Sequence, residues 1–442
     1  MSQASQPGAA AAPVTAPPVP SAPPAPESSP GAAVAGRSVA TDPAGRTMDT
    51  PQRLRLLSLG VMITGIVVGV VGALVFSFLA YSLYRAESDT AQLIRVQQIQ
   101  TNLLTADATA TNAFLVGGLE PPAQRAAYDQ ALSTTGSLIA EAARAQPADV
   151  EALAVLNQQV VEYAAAIEQA RANNRQGLPV GSQYLRSASS ELRSQTLPIL
   201  DSLVSTNADR ATDRMTVWVG WIFVVVALLA LVAAVIAQVW LARRFRRTIN
   251  VGMLASSVVL LLALVGGTIA VLQLSGAVRT IQDGSFASVN AAAAARIDAN
   301  NAKSNESLTL IARGSGAAFE TAWQTSSEAV LVNLDRLDEP LTDQWQSYVA
   351  VHTKIRALDD GGQWDAAVAL ATGSGPKSAN TVFNAFDASL ASHLEQVSRA
   401  ASSALSALQP GLIVGAILLF AAGLGAALLG RRGVAVRLKE YR

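Results

Sequence analysis

The chain has no cysteine among its 442 residues. Disulfides and thiolate metal sites are therefore excluded, and any domain it forms must hold by packing alone. Histidine is nearly as scarce. His352 and His393 are the only two, and both fall on expected helices with no paired acids nearby, so they read as ordinary surface or flanking side chains and no metal site is expected. Gly314-Ser315-Gly316 lacks the strand and helix around it that a phosphate-binding loop requires. No Ser/His/Asp arrangement is indicated. The chain is thus expected to be no enzyme and to hold no cofactor, and no nucleic-acid partner is expected.

Charge is missing altogether from four long windows, residues 56–84, 215–242, 248–278 and 400–430. Each exceeds the roughly 20 apolar residues that cross a bilayer as a helix. The first is too long for the apolar region of a cleaved signal peptide and reads as a signal anchor. Gln238 and Gln273 are the most polar side chains in the spans. Neutral groups of that kind bridge helices, whereas a transport path usually buries charge.

The formal net charge of zero conceals a partition. The two polar segments, 85–214 and 276–409, sum to −9, and the remainder of the chain sums to +9. Arg and Lys collect beside membrane ends that stay inside. The expectation is an integral plasma-membrane protein with cytoplasmic N- and C-termini, in contact with lipid, and with both polar segments outside. Tyr81, Tyr84, Trp218 and Trp221 sit where aromatic belts form at the outer ends of spans 1 and 2.

The expected layout is a Pro/Ala-rich disordered tail over 1–45, spans at 56–84, 217–242, 251–275 and 410–430, a basic cytoplasmic loop at 243–250 and a cytoplasmic tail at 431–442. Between the spans, 85–214 and 276–409 each read as an all-α, up-and-down four-helix bundle. In the first, Val96, Ile99, Leu103, Ala106, Ala110 and Ala113 form one helical stripe, and Leu153, Leu156, Val160, Tyr163, Ile167 and Ala170 form another. Pro198 lies inside the fourth helix and should kink it or loosen a turn. The second segment repeats the plan in the same membrane sense, so the chain reads as a tandem duplication, a receptor-like dimer written as one polypeptide. Each bundle would be a rod whose first and last helices run straight into two spans.

That geometry sends the break-rich loops to the distal tips. Recognition usually resides in loops held by rigid helices, so Glu120, Asn174, Arg175, Gln176, Arg313 and Trp364 are the candidate partner-binding residues outside. The candidate output residues inside are Arg243, Arg244, Arg246, Arg247, Arg431, Arg432, Arg437 and Lys439.

The layout of span, four-helix bundle and span resembles the sensory half of bacterial chemoreceptors and sensor kinases. More narrowly, the stretch Ala170-Arg171-Ala172-Asn173-Asn174-Arg175-Gln176-Gly177-Leu178-Pro179-Val180-Gly181, the tight basic hairpin 243–247 and the tail Lys439-Glu440-Tyr441-Arg442 are similar to the actinobacterial GlnX-like four-span membrane proteins. The resemblance implies a signal relay. An extracytoplasmic amino-acid-binding lipoprotein would contact the bundles, and a soluble cytoplasmic serine/threonine kinase of the G type would receive the signal. Direct small-molecule sensing and an envelope scaffold are the alternatives.

Overall fold

The computed structural model describes residues 50–116, 120–245, 250–337 and 339–439. The tail 1–45, Arg246, Arg247 and residues 440–442 lie outside the described residues, as do the side chains of Arg244, Arg437 and Lys439. Among the described residues every element is helical: α1 (Thr50–Val116), α2 (Pro122–Ala145), α3 (Val150–Arg175), α4 (Val180–Glu191), α5 (Leu197–Arg214), α6 (Gly220–Phe245), α7 (Val251–Ile281), α8 (Ala287–Ile311), α9 (Ala317–Leu334), α10 (Glu339–Asp360), α11 (Trp364–Thr372) and α12 (Ala379–Lys439).

Among the described residues four helices are long and apolar enough to cross a membrane, and only 28–33 % of each apolar window is buried within the protein. Leu74, Leu229, Leu262 and Ile417 point outward, each more than 60 % exposed. So continuous an apolar surface is tolerable only in lipid, and the chain is a multi-pass membrane protein. Inside this half, Val75, Phe76, Phe223, Ala227, Leu260, Val271, Leu412 and Leu419 join α1, α6, α7 and α12 in one core. The rings of Phe76 and Phe223 meet edge to face at 5.9 Å.

Glycine sets how closely these helices approach. A methyl group at Gly423 of α12 would land on the Gly69 backbone of α1, and one at Gly65 would come within 2.7 Å of the Ala427 nitrogen. Backbone contact of this kind replaces the hydrophobic driving force that lipid cannot supply between helices. The seam continues outward, and α1 and α12 form the most extensive helix pair in the molecule.

The polar half contains two cores. The first lies within α1, α2, α3 and the α4–α5 helix. The six α3 positions read from the sequence as a stripe are its six buried positions, and the α1 stripe from Val96 to Ala113 is buried as well. Pro121 and Pro122 open α2, where a missing N–H costs nothing. Between α4 and α5 the helix widens into a π turn, Leu192–Thr196, where the Leu197 N–H reaches back to the Leu192 carbonyl. Pro198 can offer no N–H to Ser194 four residues earlier, and the wider turn absorbs that defect without ending the helix. The second core packs α8, α9, α10, α11 and α12 around Trp345, Tyr348, Phe383 and Phe386.

Three passages between the polar and apolar halves are continuous: α1 and α12 are unbroken, with 67 and 61 residues, and α7 joins α8 through a second π turn, Gln282–Phe286. Two features differ from the rod-like expectation. First, the remaining passage is broken: α5 ends at Arg214 and α6 begins at Gly220. The physical reason is local. Met215 caps α5 with bonds to Ala211 and Thr212, and α6 must restart where Gly220 lets it touch Val271 of α7, since a Cβ there would lie 2.9 Å from that side chain. Trp218 stands in the break, 63 % exposed. Second, the two cores interlock: Leu115 of α1 belongs to the second core, while Ile297 and Ile311 of α8 pack on the first.

Gly423→Val should therefore destabilise the protein by about 1–3 kcal/mol through overpacking. Gly425→Val, at a site with nothing within 4 Å, should change little. Thermal unfolding of both variants in detergent checks this, and equal shifts would remove the close crossing as a determinant of stability.

Candidate functional site

The loop between α3 and α4 is short because Gly177 adopts φ +68° and Gly181 sits against α3, where a Cβ would come within 2.9 Å of the Asn174 nitrogen. This tight return holds the end of α3 over the end of the first core. A cavity of about 300 Å³ opens there, and Glu120, Asn174 and Arg175 of the sequence-predicted set line it together. Arg171, beside them, bonds Glu120 at 2.8 Å and Glu168 at 2.8 Å. Its guanidinium also lies 4.0 Å from the Tyr128 ring centroid. Gln176 is exposed in the closing turn and does not line the cavity.

At the corresponding end of the second core, Arg313 and Trp364 meet each other. The Arg313 guanidinium stacks 3.9 Å from the Trp364 ring, and the indole N–H donates to the Leu310 carbonyl at 2.9 Å. Arg313 holds φ at +40°, an uncommon conformation for a side-chain-bearing residue, and the cation–π contact helps to fix it. Trp364 is half-buried, and α11 packs against α1, so the end of the second core adjoins the first helix.

The sequence reading missed two buried polar centres below these ends. Asp107 of α1 is fully buried. It accepts hydrogen bonds from Tyr163 of α3 at 3.2 Å, from Ser189 of α4, and from Ser304 of α8 at 2.7 Å, and it pairs with Arg193 at 3.0 Å. Burial, followed by the Asp107 charge, pushes the Tyr163 phenol well above its usual range, so it stays protonated as a donor. Arg193 belongs to the π turn that accommodates Pro198.

The second centre surrounds Glu306, whose side chain is fully buried. Lys303 pairs with it at 2.7 Å, His352 Nδ1 lies at 3.0 Å and the Tyr348 hydroxyl donates at 3.1 Å. His352, read from the sequence as a surface or flanking residue, is 2 % exposed and stacks 3.6 Å from Trp323. Its Nε2 faces Glu320 at 3.3 Å, and Glu320 in turn meets Arg356 at 3.4 Å. Burial alone would raise the Glu306 carboxyl, but the Lys303 charge and the His352 hydrogen bond more than offset it and hold the carboxyl at about 2. Burial lowers His352, while hydrogen bonds to Glu306 and Glu320 outweigh it and raise the imidazole above 6.5. The helical spacings Lys303/Glu306 and Tyr348/His352 are the only signals that could have revealed this set. Glu306 and His352 are buried, whereas Glu320 and Arg356 reach the edge of the core, each with 20 % of its side chain exposed. Among the described residues no group of three or more His, Cys, Asp and Glu is placed to hold a metal ion.

At the far end of the apolar half, Leu54, Leu241, Met253 and Val434 draw all four spans together. The Asn250 side chain caps α7 through the Met253 N–H and donates to the Gly433 carbonyl at 2.8 Å. Arg243, Arg431 and Arg432 of the predicted output set are exposed here, near Arg53 and Arg55. The tertiary structure thus brings the loop and the C-terminal segment together at one end.

Residues 82–216 match the model of the actinobacterial sensor domain family. That match covers α1 from its membrane boundary through the end of α5, which includes the tip cavity and Asp107. Comparison with curated proteins and with solved structures yields no match.

The raised His352 has a consequence for stability. A group with a raised folded pKa stabilises fully below its unfolded value, here 6.5, and that contribution disappears as pH rises through the folded value. Thermal midpoints measured from pH 6 to 9 (a range on the order of that set by histidine titration) should fall with pH, and His352→Gln should flatten the decline. An unchanged slope in the variant would exclude His352 as its source.

Proposed function

We propose that this chain is a non-enzymatic transmembrane signal relay, in which the tip end receives a signal and the basic end passes it on. The observation that carries this reading is the pair α1 and α12. Each runs without interruption from the tip region into the membrane half. At about 1.5 Å per residue, α1 is about 100 Å long. A stiff, packed helix pair of this kind can transmit a shift of about 1–2 Å between two packings. The sensor-domain match over 82–216 supports a sensing role for the half that holds the tip cavity.

The orientation we propose follows charge. Arg53, Arg55, Arg243, Arg431 and Arg432 collect at one end of the spans, which by the positive-inside tendency is cytoplasmic, and both acidic helical segments are then extracytoplasmic. The two helical segments are taken as a covalent receptor pair. Along the GlnX-like resemblance, the outer partner is an amino-acid-binding lipoprotein meeting Glu120, Asn174, Arg175, Gln176, Arg313 and Trp364. The inner partner is a soluble serine/threonine kinase of the G type meeting the basic loop and tail. A second reading, direct detection of a small molecule, is favoured by the cavity between α1, α3 and α4.

Two measurements test the relay. Single cysteines at Gln183 and Ser374, both exposed, should react with an impermeant thiol reagent on intact cells. The native chain supplies no background label, and protection of either site would overturn the proposed topology. Affinity capture of the full chain should recover a solute-binding lipoprotein and a kinase. Arg175→Glu should lose the first, and the double variant Arg431→Glu, Arg432→Glu should lose the second. Undiminished capture by both variants would rule out these surfaces.

A further inference from the structure

The tip cavity has two distinct walls. Its inner wall is apolar: Ile167 and Leu185 are about 1 % exposed, and Phe114 completes it from α1. Its outer rim carries Arg125, Arg171 and Arg175 against the single carboxylate Glu120. About 300 Å³ lies at the small end of the range for ligand sites, roughly 300–1,000 Å³, so a small molecule fits and a folded peptide does not.

The ion pairs decide which small molecule. Glu120 is already neutralised by Arg171. Just outside the lining, Asp129 and Glu168 are paired with Arg125, and Glu168 also holds Arg171. No rim carboxylate is left to receive a cation. Among the guanidiniums, Arg125 and Arg171 are engaged, whereas Arg175 makes no ion pair among the described residues and lines the opening at the C-terminus of α3. The available chemistry is one guanidinium fork above an apolar pocket. A carboxylate matches that fork with two parallel hydrogen bonds. An α-ammonium on the same ligand would lose water and gain no charged partner.

We infer that the cavity between α1, α3 and α4 binds a small organic monocarboxylate with a short branched or aromatic apolar group, and disfavours the corresponding α-amino acid. Arg175 is the anion-binding residue, and Phe114, Ile167 and Leu185 receive the apolar group. The inference does not rest on the relay reading, because binding is measured on the purified chain with no partner present.

The test is isothermal titration of the full-length protein in detergent with three probes of one shape: 4-methylpentanoate, leucine and 3-methylbutylamine. The expected result is saturable binding of 4-methylpentanoate in the millimolar range or tighter, with leucine at least about ten-fold weaker and no heat from the amine. Arg175→Ala should weaken 4-methylpentanoate by at least about ten-fold, the loss of a charge-assisted bond, and Arg175→Lys should restore part of it. Arg175 is exposed and makes no ion pair among the described residues, so the variant is expected to fold, and unchanged helical circular dichroism verifies that. Absence of saturable binding, leucine binding as well as the carboxylate, or full affinity in Arg175→Ala would each overturn the inference.

Discussion

A carboxylate fixed in an apolar core has to be surrounded by donors, and Asp107 imposes that requirement on the whole polar half of this molecule. It lies on α1, yet its donors come from α3, α4, the π turn and α8. Removing any of these elements would leave charge or hydrogen-bonding capacity buried without a partner, an outcome that costs several kcal/mol in proteins generally. Ser304 matters most to architecture, because it reaches Asp107 from the second helical segment. The two segments are thereby held in one register, with Gln97–Asn290, Thr105–Asn300 and Asn112–Asn380 extending the same polar seam.

This seam explains how so long a molecule keeps a defined packing without disulfides. Within the spans α1 and α12 meet through glycine backbones, and outside them they meet through side-chain amides, Asn380 donating to Asn112 and Gln409 to Glu87. The changeover suits the surroundings on each side, since close van der Waals contact is what lipid leaves available, while directional polar bonds specify register in a core bordered by water. The Glu306 centre plays the corresponding part within the second segment, where Tyr348 and His352 of α10 bond Glu306 of α8. The break between α5 and α6 leaves one passage without that stiffness, so three of the four connections between polar and apolar halves are continuous helix and one is a joint.

Much of the helix plan was legible because it depends on periodicity and punctuation. The α3 stripe from Leu153 to Ala170 emerged residue for residue, since one buried face of a helix leaves a 3.6-residue signature whatever packs on it. Pro198 announced a disturbed turn through its missing N–H. The candidate tip residues were only partly legible. Glu120, Asn174 and Arg175 converge on one cavity, but nothing in their spacing distinguished them from Gln176, which faces away. Trp364 was a candidate partner-binding residue at the tip, and its indole is committed to Leu310 and Arg313.

The charge-free windows and their number followed from the sequence alone, because hydrophobicity and length decide whether a helix can cross a bilayer. So did the all-helical class, the uneven distribution of Arg, and the burial faces of the regular helices. Only the tertiary structure decided which buried polar groups meet. Asp107 and Ser304 are 197 residues apart, and His352 and Glu306 are 46 apart. Such pairings depend on how helices are rotated and shifted against one another, and the sequence carries no local periodic signal of that. The same holds for the tip cavity, which exists because Gly181 lets α4 return against α3, and for the basic end, where Asn250 finds Gly433 across 183 residues of chain.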